Sequence, residues 1–145
     1  MGQLASGAFD GSGTGVFTGG GGIRTVTAEY NFAVHGGAQS SIVIGNVPLG
    51  TTILGGWMNV ETSPVGAGAS IGVTIEGAGD VVAVAAISGA PWSTTGKKAI
   101  LPKRNTPEAS STITTTAARN ILFVISGADL TAGKVQLYLE VMGAR

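Results

Sequence analysis

Cysteine is absent, so disulfides and thiolate metal sites are excluded and the redox compartment leaves no trace in the chain. Charge is scarce: only 11% of the 145 residues are charged, and eight basic residues cancel eight acidic ones. A protein that grips nucleic acid through its phosphates carries a basic excess. The zero balance therefore argues against a nucleic-acid partner. The same scarcity removes the usual protection of a lone monomer, because a net charge near zero promotes association. The chain reads as part of an oligomer or a larger assembly. No run approaches the ~20 apolar residues of a transmembrane helix. Met1-Gly2-Gln3-Leu4-Ala5 lacks a basic segment followed by an apolar one, so neither a membrane span nor a secretory signal is expected. Gly2 with Ser6 matches a myristoylation pattern, but so short a match arises readily by chance.

Catalytic groups are equally sparse. His35 is the single histidine and stands beside Gly36-Gly37, which reads as a structural turn. A hydrolytic triad needs a nucleophile, a base and an orienting acid, and no Gly-x-Ser-x-Gly elbow accompanies this histidine. The carboxylates are scattered; Glu29, Glu61, Glu76 and Glu140 read as solvent-facing strand residues rather than a glycosidase pair. Asp10-Gly11-Ser12-Gly13-Thr14-Gly15 lacks the acidic ligands of a calcium loop and the Gly-Lys-Ser/Thr of a phosphate loop. No catalytic residue, cofactor, metal or small-molecule substrate is expected.

Glycine, by contrast, is abundant. It dominates residues 1–22 and ends them in the run Gly19-Gly20-Gly21-Gly22. Glycine loses the most backbone entropy on ordering, so this stretch is not expected to fold alone. Leu4, Phe9, Val16 and Phe17 are spaced along it, and apolar side chains on such an arm need a surface to dock on. The sequence thus divides into a flexible N-terminal arm, residues 1–22, and a folded domain, residues 23–145.

From Ile23 onward the hydrophobic pattern has period two, the signature of half-buried strands. Val26, Ala28, Tyr30, Phe32 and Val34 alternate with Thr25, Thr27, Glu29 and Asn31, predicting a strand from Arg24 to Val34. Further strands are predicted at 41–47, 51–62, 70–76, 81–87, 97–101, 112–116, 120–126 and 134–142. In 51–62, Ile53 and Trp57 are assigned to one face and Leu54, Met58 and Val60 to the other; Gly55-Gly56 between them marks a bulge or a close backbone approach. Ile71, Val73 and Ile75 are expected inward, as are Val135, Leu137, Leu139 and Val141. Short strands joined by Gly/Pro turns, without an amphipathic helix, specify an all-β sandwich or barrel.

One charge feature stands out. Lys97, Lys98, Lys103 and Arg104 are four of the eight cations, within a single short stretch. They read either as a solvated loop or as a contact patch for an acidic partner surface. Trp92 lies just upstream and is the candidate interface anchor, whereas Trp57 reads as core.

The run Tyr30-Asn31-Phe32-Ala33-Val34-His35-Gly36-Gly37-Ala38 is followed by the stretch from Ile53 to Thr62 and by Pro91-Trp92-Ser93-Thr94. Ala117-Ala118-Arg119-Asn120-Ile121 and Leu130-Thr131-Ala132-Gly133-Lys134-Val135 come after. This order, over residues 24–142, resembles small structural proteins of tailed bacteriophages, including the cement (decoration) proteins of the capsid. The resemblance implies a jelly-roll-like antiparallel β-sandwich, usually a homotrimer. It implies a seat at three-fold positions on the outer surface of the virion head, with the major capsid protein as partner and no catalytic residue. It also implies that an arm such as residues 1–22 reaches over neighbouring capsid subunits. Two other readings stay open: a tail-fibre or receptor-binding head whose loops, such as 88–96, contact carbohydrate, and a carbohydrate-binding module. The last needs exposed aromatics, and the chain has two Trp and two Tyr.

Overall fold

The computed structural model describes residues 22–102 and 112–143. The strands, in chain order, are β1 (Arg24–Asn31), β2 (Ser40–Val47), β3 (Thr51–Val65), β4 (Ser70–Thr74), β5 (Val82–Ala86), β6 (Gly96–Ile100), β7 (Ile113–Thr114), β8 (Arg119–Ser126) and β9 (Ala132–Gly143). A single helical turn, α1 (Phe32–His35), follows β1.

The pairing is nested. β4 and β5 form the innermost hairpin; β3 pairs with β6, β2 with β8 and β1 with β9, all antiparallel. Alternate pairs of this long hairpin fall into opposite sheets, which is the jelly-roll arrangement. One sheet runs β1-β9-β3-β6, with β7 also paired to β3; the other runs β2-β8-β4-β5. The expected all-β, jelly-roll-like sandwich is the observed fold.

Period-two alternation places the core. Val135, Leu137, Leu139 and Val141 of β9 are fully buried and face Ile121, Phe123 and Ile125 of β8 and Ile71 and Val73 of β4. Each such side chain contributes about 1.5–3 kcal/mol on leaving water. Aromatic rings add directional packing. Tyr30 from one sheet stacks on Phe123 from the other, with centroids 4.2 Å apart. Trp92 meets the same Phe123 edge-on at 6.0 Å. The polar tips are satisfied: Tyr30 Oη donates to the Gly36 carbonyl at 2.6 Å, and Trp92 Nε1 donates to the Ile71 carbonyl at 3.2 Å.

Two local expectations are corrected. The first strand ends at Asn31, not Val34. Asn31 Oδ1 accepts the Ala33 N–H at 3.0 Å, an N-cap that starts a helical turn, and Gly36 at φ 74° closes it. The Asn31 N–H in turn donates to His35 Nδ1 at 3.1 Å. Val34 consequently points to solvent, 73% exposed. In β3 the side-chain phase changes within the strand. Ile53 lies opposite Val141, but Gly55 lies opposite Glu140, leaving Leu54 as an extra residue. This bulge moves the residues that follow it, as far as Val60, to the other face. Ile53, Met58 and Val60 therefore share the interior while Trp57 lies on the outer face.

Candidate docking surfaces

The two outer faces of the sandwich differ in chemistry. The β1-β9-β3-β6 sheet contains Arg24, Glu29, Glu61, Lys97, Lys98, Lys134 and Glu140. The four strands of the other sheet contain a single charged residue, Arg119. Its guanidinium does not enter the face. Arg119 Nε sits 2.7 Å from Glu76 Oε2, in a cluster where Glu76 also accepts from the Thr116 N–H at 2.8 Å. Arg119 together with Thr116 holds the Glu76 carboxyl below its ordinary pKa.

Register fixes what the uncharged face presents. Ser41, Val124 and Gly72 form one cross-strand row, and Val43, Leu122 and Thr74 form the next. At Gly72 an added Cβ would meet the Val84 side chain, so Val84 of β5 lies over this glycine and extends the apolar row. Val43 and Val84 are 52% and 54% exposed, with Leu122 and Val124 half-buried between them. Among the described residues this face presents only apolar and small polar side chains, the composition of a buried interface centre rather than of a solvated surface.

The opposite face is polar and aromatic. Trp57 of β3 and Tyr138 of β9 stack with centroids 4.0 Å apart, and Lys97 Nζ lies 5.0 Å from the Trp57 ring. Beside them Gln136 Nε2 donates to Glu29 Oε2 at 3.1 Å and to Glu61 Oε1 at 2.7 Å, while its Oε1 accepts from Asn59 Nδ2 at 3.0 Å. Lys134 Nζ lies 3.9 Å and 3.5 Å from the same two carboxylates.

The residues singled out in the sequence fall differently. Trp92, the candidate interface anchor, is fully buried and packs in the interior: its loop folds beneath β4, where the Ile71 carbonyl takes its N–H. The two tryptophans thus exchange the places assigned to them. Lys97 and Lys98 alternate along β6 and do not share a face. Lys97 lies over Trp57, while Lys98 Nζ turns back to donate to the Thr94 and Thr95 carbonyls at 2.7 Å and 3.2 Å. Leu4, Phe9, Val16, Phe17, Lys103 and Arg104 lie outside the described residues. The uncharged face was missed in the sequence, although the alternation of Leu122 and Val124 with buried neighbours in 120–126 carried part of its signal.

No protein-family model matches the chain, and no curated protein matches it in sequence. Two solved structures share its fold. One is a chain in the acidic stable capsid structure of Helicobacter pylori bacteriophage KHP30, with a TM-score of 0.58 and 12% identity, covering 86% of this chain and 90% of that one. The other is a chain in the capsid asymmetric unit of cyanophage Pam1, with a TM-score of 0.58 and 13% identity, covering 86% of this chain and 87% of that one. At such identities the likeness is one of fold, and it extends over most of the length of each chain.

Proposed function

We propose that this chain is a structural protein of a phage virion, a cement or decoration protein that sits on the outer surface of the head and stabilises the shell. The observation that carries the reading is the uncharged outer face of the β2-β8-β4-β5 sheet. Its exposed valines favour a protein surface over solvent, and burying one contributes about 1.5–3 kcal/mol before ordering costs. The fold likeness, over most of the chain, to chains found in two phage capsids supports placing that surface on a capsid. In this reading the major capsid protein is the partner and the chain assembles as a homotrimer at three-fold positions. Residues 1–22 then act as an arm, burying Leu4, Phe9, Val16 and Phe17 on neighbouring subunits. The chain performs no reaction, and His35, packed against Tyr30 with centroids 5.7 Å apart, serves the α1 turn.

The experiment is reconstitution. Purified full-length chain is mixed with tailed phage particles assembled without it, and bound copies are counted by sedimentation and located by electron microscopy. Saturable density over the whole head, lost in the Val84→Asp/Val124→Asp double variant, is the expected result. Density restricted to the tail would replace this reading with a tail component. Equal binding by the double variant would remove the role of the uncharged face, and equal binding by a chain lacking residues 1–22 would remove the role of the arm.

A further inference from the structure

The polar face holds a groove that the capsid reading does not use. Thr27, Tyr138 and Trp57 are neighbours in one row across β1, β9 and β3. Trp57 covers one side of the Tyr138 ring, so the other side turns towards Thr27 and the β1 edge. There a shallow groove of about 510 Å³ is lined by Thr27, Ala28, Glu29, Ile44, Gln136 and Tyr138. Ile44 reaches it because β2 bulges at that residue, between Val43 and Gly45.

Glu29 supplies the acceptors of one wall, and Gln136 ties it to Glu61, which lies outside the lining. Gln136 donates to both Glu29 and Glu61, and Asn59 in turn fixes Gln136, so the two carboxylates are not free to swing. An ionised carboxylate offers roughly four acceptor positions, and Gln136 takes one position on each. Lys134 offsets one of the two carboxylate charges and Lys97 over the adjoining Trp57 ring balances the other, so acceptor capacity rather than net charge is what remains. An aromatic face beside ordered acceptors suits a ligand with a flat C–H surface and hydroxyl donors at its rim.

We propose that this groove binds a neutral pyranose sugar, packed on the free side of Tyr138 and donating hydroxyl hydrogen bonds to Glu29. Ordering the carboxylate beforehand removes part of the entropy cost of binding. The shallow, open shape makes each contact weak, in the millimolar range. The site does not depend on the virion role, since it lies at the β1 edge and includes none of the Val43, Leu122, Val124 and Val84 side chains assigned to the capsid.

The test uses the full-length chain in saturation-transfer NMR, with intrinsic fluorescence as a second readout, because Trp57 stacks directly on Tyr138 while Trp92 is buried. Glucose, galactose, mannose, N-acetylglucosamine and their disaccharides are titrated, with arginine methyl ester and choline as cationic probes. Saturable binding of at least one neutral sugar is expected, unchanged by added sodium chloride. Tyr138→Ala should weaken it roughly tenfold, a loss of about 1.4 kcal/mol of ring contact, and Tyr138→Phe, which keeps the ring, should restore it. Glu29→Gln should weaken it several-fold; this variant and Tyr138→Phe decide the matter if the alanine variant does not fold. Absence of saturation with every sugar, equal binding by folded Tyr138→Ala, or binding confined to the cationic probes and abolished by salt would overturn the site.

Discussion

Tyr30 and Phe123 stack face to face across the interior of the sandwich, their rings 4.2 Å apart and within 4° of parallel. Tyr30 comes from β1 and Phe123 from β8, so the contact joins the two sheets. Trp92 packs edge-on against the same Phe123, and the Tyr30 hydroxyl holds the turn after α1.

Phe123 is therefore the side chain whose loss costs most. Phe123→Ala should lower stability by about 3–5 kcal/mol, combining lost burial with an unfilled cavity. That is a large share of the roughly 5–15 kcal/mol typical of a domain. Denaturant unfolding monitored by circular dichroism measures it, and a loss under about 1 kcal/mol would contradict the role given to this ring.

At Gly56 the backbone has φ +143°, and an added Cβ would collide with the Tyr138 carbonyl oxygen. Gly56→Ala should destabilise by more than about 2 kcal/mol through backbone strain and separation of β3 from β9. Gly50 also has positive φ, but open space surrounds its missing Cβ. Gly50→Ala should cost only about 1–2 kcal/mol. Equal losses at the two positions would show that the close approach carries no weight.

Glu76 should make stability depend on acid. Its folded pKa is lowered by Arg119 and Thr116, so the unfolded chain binds its proton more readily. The contribution is complete above the ordinary carboxylate range and disappears as pH falls through the lowered folded value. Glu76→Gln should flatten the acid limb of a plot of unfolding midpoint against pH. Parallel acid limbs for the two proteins would rule this carboxylate out as a contributor.

The cation over Trp57 is open to a double-mutant cycle. Lys97→Ala and Trp57→Leu, singly and together, should reveal a coupling of about 0.5–1 kcal/mol, the range for an exposed cation–π contact. A coupling indistinguishable from zero would make the 5.0 Å approach incidental.

Alternation alone determined much of the fold. Val135, Leu137, Leu139 and Val141 were legible as one buried face, as were Ile71, Val73 and Ile75, because a strand turns successive side chains to opposite sides. The all-β class follows from many such segments separated by glycine and proline.

Tertiary structure decided the rest. One extra residue at Leu54 inverted the phase of β3, sending Trp57 outward and Met58 and Val60 inward. A bulge depends on the register with β9, and no local pattern records it. Trp92 sits in a loop, yet it is buried because that loop closes under β4. The uncharged face exists only once β2, β8 and the β4-β5 hairpin lie side by side, although these three segments are far apart in the chain. Local periodicity specifies which side of each strand is dry. Long-range pairing specifies which strands pool their remaining sides into a surface, and here it gathered the uncharged ones on one face of the sandwich and the aromatic and charged ones on the other.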